Sequence, residues 1–440
     1  MQASEAFKCS FKLQHHSDYK QSIVNLISQD GIICNIFNEC QNQQKEFNQY
    51  LIQLLTNQYE LIELLKKINT EFEKNNLIKL RRIEVFTLIM MMFFNLIRRQ
   101  YKCGRFYIIN MEELKNLNSK GVTEEKLKCI TNYIKLFFLN RQLISQEDIQ
   151  FVRNCVSEEE YLKKIEFFNS NKPINFRFTR QRNENQLFST VVDFANQNIG
   201  GQALCYKSCT QEDILMLMFP EALICMLFVE PMKSNESVLI QNLIKYNNYM
   251  GYESTFKHLD LQKLNTEQRY NLLAIDAEEF FDYEDQFSQK NINRELVKCY
   301  SGFQIALLRE PKYAISTGKW GCGIFRGNPY LKTLIQLVCY GQVNSLSDLQ
   351  TNEIIFNVSS DINLFNFGQE LQKRKDYITL TNLNLILNTI KNNKFKSNEE
   401  LMSKILSQLQ KKQKRQTMRN ALLGCALISL ASLLWNWQKN

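Results

Sequence analysis

From Asn171 onward, short β-prone runs alternate with helix-forming segments, and no other feature of the chain constrains its fold as tightly. The runs INFRFT, LFSTVVDFA, LICMLFVE, LLAIDAEEF, FQIALL, YAIST and EIIFNV are dense in branched and aromatic residues. Apolar segments of helical texture, including ILMLMF and NPYLKTLIQLVCY, separate many of them. Strands interleaved with helices predict an α/β fold with a mixed or parallel sheet covered on both faces. In such sheets ligands bind beyond the carboxyl ends of strands, where glycine-bearing loops lead into helices. Two stretches fit that description, IGG from Ile199 and STGKWGCG from Ser316.

The preceding third of the chain reads as helical. FNQYLIQLLTNQYELIELLKKI carries apolar residues at three- and four-residue spacing with no glycine or proline. The strongly apolar stretch VFTLIMMMFFNL, Val85 to Leu96, is shorter than the roughly 17 residues a membrane span requires, so it predicts a buried helix. These shifts in texture divide the chain into a helical accessory domain over 1–170, an α/β domain over 171–395, a basic helical linker over 396–420 and an uncharged tail over 421–437.

Composition narrows the chemistry. The net charge of +9 permits a polyanionic partner without requiring one, and part of it is concentrated in the run KKQKRQTMR. The 13 cysteines form no CxxC pair, and with only His15, His16 and His258 available no metal site is predicted. Free thiols point to a reducing, intracellular compartment. The stretch MQASEAFKCSFKLQHH lacks the apolar core of a signal peptide. With histidine this scarce, acid–base chemistry falls to carboxylates. The tail ALLGCALISLASLLWNW, from Ala421 to Trp437, has no charge and lies at the short end of the roughly 17–25 residues that cross a bilayer. Trp435 and Trp437 occupy interfacial positions behind a basic flank. The expectation is a tail anchor in an intracellular membrane, mitochondrial or endoplasmic reticulum.

The stretch between Asp193 and Asp213 concentrates the candidate site. Asp193 and Asn196 end the VVDFAN strand, where they can hydrogen-bond a ribose or a base edge. Gly200 and Gly201 let backbone amides approach a phosphate closely. Gln211, Glu212 and Asp213 then open an apolar helix, ILMLMFPEALICMLF, whose dipole favours carboxylates at its start. The same TQED is equally an ordinary helix cap. Tyr252 follows a glycine in NYMGYESTF and is placed to stack on a sugar or base. Gly321 and Phe325 lie in the glycine-rich STGKWGCGIFRG.

Taken in order, these segments resemble the poly(ADP-ribose) glycohydrolase family. VDFAN (Val192 to Asn196), GGQ (Gly200 to Gln202) and QED (Gln211 to Asp213) stand where that family has VDFAN, GGG and QEE. GYESTF from Gly251, the series AIDA, DQF, REL and YSGF from Ala274 to Phe303, and STGKWGCGIFRGN from Ser316 match further motifs in sequence. FFNLIRR from Phe93 and FTRQ from Phe178 extend the likeness upstream, so that it covers roughly residues 80–395. The resemblance implies a macrodomain-like mixed sheet sandwiched by helices, with an N-terminal helical domain before it; the uncharged tail itself adds the expectation of a C-terminal apolar helix. It implies hydrolysis of ribose–ribose bonds in ADP-ribose polymer, without a cofactor, and ADP-ribose polymer or ADP-ribosylated proteins as partners. Asp213 would be the acid and base, and Glu212 would position ribose hydroxyls. Asp193, Asn196, Gly200, Gly201, Gln211, Tyr252, Gly321 and Phe325 would contact substrate, with the diphosphate against the glycine loop.

The departures from the family pattern fall around that site. Asp213 is one methylene shorter than the glutamate it replaces. Gln202 replaces a glycine, Lys319 an asparagine, and Val358 an expected aromatic. The loop Ala203 to Thr210 has no glycine and carries Tyr206 and Lys207. They carry an alternative expectation: a catalytically inactive, membrane-tethered reader of ADP-ribose or subunit of a protein complex.

Overall fold

The computed structural model describes residues 8–11, 19–100, 106–107, 111, 114–115, 120–165, 169–204, 208–261, 263–346 and 353–437. The chain forms two compact units, residues 1–156 with 186–277, and residues 157–185 with 278–440. Cys205, Tyr206 and Lys207 lie outside the described residues.

In the first unit five strands run in the order Leu77–Arg81, Asp148–Cys155, Glu236–Leu243, Tyr270–Asp276, Ser189–Ala195. Neighbours are antiparallel except the last pair, which is parallel with Ala274 beside Asp193. Ser189–Ala195 is buried at every position but Phe194, as a strand covered on both faces should be. The apolar stretch anticipated as a buried helix is one: Arg82–Phe93, with Val85 through Phe93 all buried. FNQYLIQLL and its continuation form two helices, Gln41–Thr56 and Gln58–Asn75. They part at Asn57, whose side chain caps the second by accepting the Glu60 N–H.

One ion pair ties this helical part to the segment behind the carboxylates. The Arg82 guanidinium is fully buried and pairs with Glu221, in the turn Pro220–Ile224. It also donates to the Asn242 carbonyl at 2.7 Å, while Tyr246 donates its hydroxyl to Glu221 at 2.9 Å. Such bonds offset the cost of burying the charge, while Arg82 Nε has no hydrogen-bond partner among the described residues.

In the second unit, Ala314–Thr317, Ile354–Asn357 and Phe176–Thr179 lie in that order, all parallel. Helices Gln289–Leu308, Pro329–Leu346, Ile362–Gln372 and Leu380–Ile390 belong to the same unit. Two runs read as strands are helical. FQIALL lies inside Gln289–Leu308, and LICMLFVE forms the end of the 3₁₀ turn Pro220–Ile224 and the helix Cys225–Phe228. A short unbroken apolar run suits a buried helix as well as a buried strand, and for FQIALL a helix cap favours the helix. Ser288 caps the Gln289–Leu308 helix by accepting the Asn291 N–H. The strands Leu77–Arg81, Asp148–Cys155 and Glu236–Leu243 were not among the anticipated runs, and the first two lie in the part of the chain read as helical.

The last helix runs from Asn398 to Trp437. Its start is not a free linker: Leu401, Ile405 and Leu409 are buried, and Asn398 accepts from Tyr283 and Asn328 at 3.0 and 2.7 Å. Beyond them Lys414, Arg415 and Arg419 are exposed. Among the described residues no helix is long and apolar enough to cross a membrane. Most side chains of the expected anchor, 424–426 and 428–437, fall outside that description.

Candidate active site

The site of the first unit assembles where strand Ser189–Ala195 ends and helix Gln211–Met218 begins. Each side chain of the QED triplet reaches a different piece of backbone. Gln211 donates from Nε2 to the Val192 carbonyl at 3.0 Å and accepts the Phe194 N–H at 2.9 Å. Its amide thus mimics a neighbouring strand. Glu212 accepts the Gly200 N–H at 2.8 Å through Oε1 and the Asn196 N–H at 2.9 Å through Oε2. Asp213 accepts the Gln202 N–H at 2.7 Å through Oδ1. Its Oδ2 takes both the N–H and the hydroxyl of Thr210, at 2.8 and 2.9 Å. Thr210 and Asp213 are therefore the two ends of a capping box.

This arrangement gives the two glycines a packing reason. A Cβ on Gly201 would stand 2.5 Å from Glu212 Oε2 and 3.0 Å from Asp213 Oδ1. A Cβ on Gly200 would stand 2.2 Å from Met226 Cε. Both glycines also have φ in the left-handed region, at +110° and +50°. The three amides of GGQ are all engaged: Gly200 and Gln202 donate to the two acids Glu212 and Asp213, and Gly201 donates back to the Asn198 carbonyl at 3.4 Å. The Gln202 residue itself is exposed. In this structure the loop holds the acids through its amides.

Asp193 is the third carboxylate. It is fully buried, and neither of its oxygens has a hydrogen-bond partner. Burial, reinforced by the nearby Asp213 charge, pushes its pKa up to about 8. Burial also drives Glu212 well above the usual carboxylate range, with Asp193 and Asp213 adding to it and the Asn196 and Gly200 amides opposing. Burial and neighbouring like charge therefore favour the protonated forms of Asp193 and Glu212.

Asn196 stands beside the cluster, its side-chain oxygen turned back to the Asn198 N–H at 3.0 Å. Tyr252, half exposed, brings its phenol oxygen to the Gln211 N–H at the helix start. The Cys209 carbonyl accepts the Glu253 N–H at 2.9 Å, fixing the tyrosine loop to the residue before Thr210. Asp193, Asn196, Gly200, Gly201, Gln211, Glu212, Asp213 and Tyr252 thus belong to one neighbourhood.

Gly321 and Phe325 belong to the second unit. There Gly321 has φ +69° and accepts the Gly327 N–H at 2.9 Å, and Phe325 accepts the Phe280 N–H at 3.1 Å. The loop rests on the buried Lys332, which pairs with Glu295 and lies 4.1 Å from the Trp320 ring centre. Lys319 pairs with Asp361 at 3.3 Å, and Val358 is buried.

Thr210, which the TQED pattern allowed as a helix cap, completes the cap on Asp213. One contributor was not foreseen. Lys126, in helix Val122–Ile144, is fully buried and donates to the Gln202 carbonyl at 2.8 Å. The available signal was its spacing, since it shares a helix face with Thr123, Cys129, Ile130 and Tyr133.

The chain is similar to proteins of one known family. Residues 165–353 match the family described as Poly (ADP-ribose) glycohydrolase (PARG), Macro domain fold, and residues 37–153 match its helical domain. Poly(ADP-ribose) glycohydrolase 1 of Caenorhabditis elegans is 32% identical over 246 residues, 51% of this chain and 30% of that protein. Poly(ADP-ribose) glycohydrolase 2 of the same organism is 26% identical over 238 residues, 50% of this chain and 48% of that one. The chain therefore spans less than half the length of either. A crystal structure of poly(ADP-ribose) glycohydrolase from Deinococcus radiodurans in complex with ADP-ribose is 13% identical. It covers 50% of this chain and 94% of its own, with a TM-score of 0.29.

Proposed function

The chain belongs to the poly(ADP-ribose) glycohydrolase family, and we propose that it hydrolyses ribose–ribose bonds of ADP-ribose polymers at an attenuated rate. One observation carries this reading: three carboxyl groups, Asp193, Glu212 and Asp213, converge at the end of one buried strand and the start of one helix. Cleavage at the anomeric carbon passes through an oxocarbenium-like state, in which the leaving oxygen needs a proton and the attacking water a base. In this reading Asp213 performs both transfers. Glu212, anchored by the Gly200 and Asn196 amides, aligns the ribose hydroxyls, and Tyr252 stacks on the sugar. Attenuation follows from the missing methylene, because a displacement of about 1 Å costs on the order of 100-fold in rate. Release of ADP-ribose from polymer by the purified chain tests this. Activity lost in both Glu212→Gln and Asp213→Asn supports it, and activity unchanged in either removes that residue from its role.

A second reading, a reader that binds ADP-ribose without cleaving it, is favoured by the hydrogen bonds on Asp213. Three donors already occupy its two oxygens, so proton delivery requires one of those bonds to open. Calorimetric titration with ADP-ribose beside the hydrolysis assay separates the two readings. Binding without turnover establishes the reader.

We also propose that segment 421–437 tethers the chain to an intracellular membrane, on the strength of its uncharged run behind a basic flank. Carbonate-resistant pelleting with membranes, lost when 421–437 is deleted, is the expected result. A soluble full chain would overturn it.

A further inference from the structure

We propose that Lys126 is a positioning residue for the carboxylate pair, acting through the Gln202 backbone. Lysine is almost never fully buried without a partner, yet Lys126 has no exposure. Its ammonium donates to the Gln202 carbonyl at 2.8 Å, and the Gln202 N–H donates to Asp213 Oδ1 at 2.7 Å. Gln202 is thus held at both ends of its main chain, by a cation from one helix and by the acid of another. The residues before it are held as well: Gly200 by Glu212, and Ala203 back onto the Gly200 carbonyl at 3.1 Å. A glycine pair has the largest conformational freedom of any dipeptide, so a loop beginning with one keeps a single shape only if its end is fixed. Lys126 fixes that end.

The same helix is docked to the tyrosine loop. Glu125 accepts the His258 N–H at 2.8 Å, and Asn132 donates to Asn247 at 2.9 Å. Helix Val122–Ile144 therefore holds the carboxylate loop through Lys126 and the segment behind Tyr252 through its neighbours. In this account the helical domain is a part of the site's geometry, holding in place the groups that the macrodomain segment supplies.

The proposal rests on the reading of Glu212 and Asp213 as the working pair, and its test includes an arm that does not depend on turnover. Amide hydrogen exchange is measured over residues 199–204 in the full chain, in Lys126→Met and in Lys126→Arg. Exchange in Lys126→Met is expected to rise about tenfold or more, as loss of a hydrogen bond to a charged group implies, and to stay closer to wild type in Lys126→Arg. Unchanged exchange in Lys126→Met would overturn the proposal. If that variant does not fold, Lys126→Gln takes its place, with exchange again required to rise. With ADP-ribose polymer as substrate, kcat of Lys126→Met is expected to fall by about 10- to 100-fold with KM little changed, and Lys126→Arg to recover part of the loss. A chain with no turnover at all refutes the glycohydrolase reading and leaves the exchange arm to decide the role of Lys126.

Discussion

Glu212 and Gly200 are joined by a 2.8 Å hydrogen bond from the Gly200 N–H to Glu212 Oε1, so the glycine turn and the first acid of the pair are one structural object. Gly201 sits between them and Asp213. Gly201→Ala places a methyl 2.5 Å from Glu212 Oε2 on a backbone with φ +50°. The expected cost is about 1–3 kcal/mol of stability, read by chemical denaturation, with ADP-ribose affinity falling as Glu212 is displaced.

Thr210 serves Asp213 through its hydroxyl as well as its amide, at 2.9 and 2.8 Å. Thr210→Val keeps the shape and the amide bond but removes the hydroxyl. The loss should be about 0.5–2 kcal/mol in a thermal or urea melt, and Thr210→Ser should restore most of it. Equal stability of the valine and serine variants would show that the hydroxyl contributes nothing to the cap.

Asp193 makes stability depend on pH in a direction opposite to most carboxylates. Its pKa is about 8 in the folded chain, raised by burial and then by Asp213. An unfolded aspartate ionises near pH 4, at about 3.9. Below that the group is protonated in both states and has no effect. Between about pH 4 and pH 8 the unfolded chain loses the proton while the folded chain keeps it, so stability falls as pH rises through this window. Glu212, also raised by burial, acts in the same direction. The melting temperature of Asp193→Asn should therefore exceed wild type at pH 7 to 8 and converge with it near pH 4. Parallel curves would mean that Asp193 is solvated or paired in solution.

The Arg82–Glu221 pair is fully buried on both sides. Truncating one partner leaves the other charge uncompensated. Arg82→Met should cost about 3–5 kcal/mol. The double variant Arg82→Met, Glu221→Leu should recover much of that loss, which a double-mutant cycle would measure.

The fold was legible because motif order and hydrophobic texture are local properties of the chain. VVDFA, LLAID, YAIST and EIIFN are all strands, and NPYLKTLIQLVCY is a helix. FQIALL and LICMLFVE misled because unbroken apolar runs carry no period. The position of Glu212 and Asp213 at a helix start was equally legible. The Thr210–Asp213 cap was legible in TQED as well, but the other partners were not, since they are backbone amides at Asn196, Gly200 and Gln202, which no side-chain pattern encodes. Lys126 lies 76 residues before Gln202, and only the folded chain brings them together.

The most direct test of the account is ADP-ribose release from polymer by the purified chain, compared among wild type, Asp213→Asn and Asp213→Glu. The account predicts slow release by wild type, none by Asp213→Asn, and a gain on the order of 100-fold in Asp213→Glu, where the restored methylene extends the acid's reach. Release at equal rates from wild type and Asp213→Asn, or none from any of the three while ADP-ribose still binds, would contradict it.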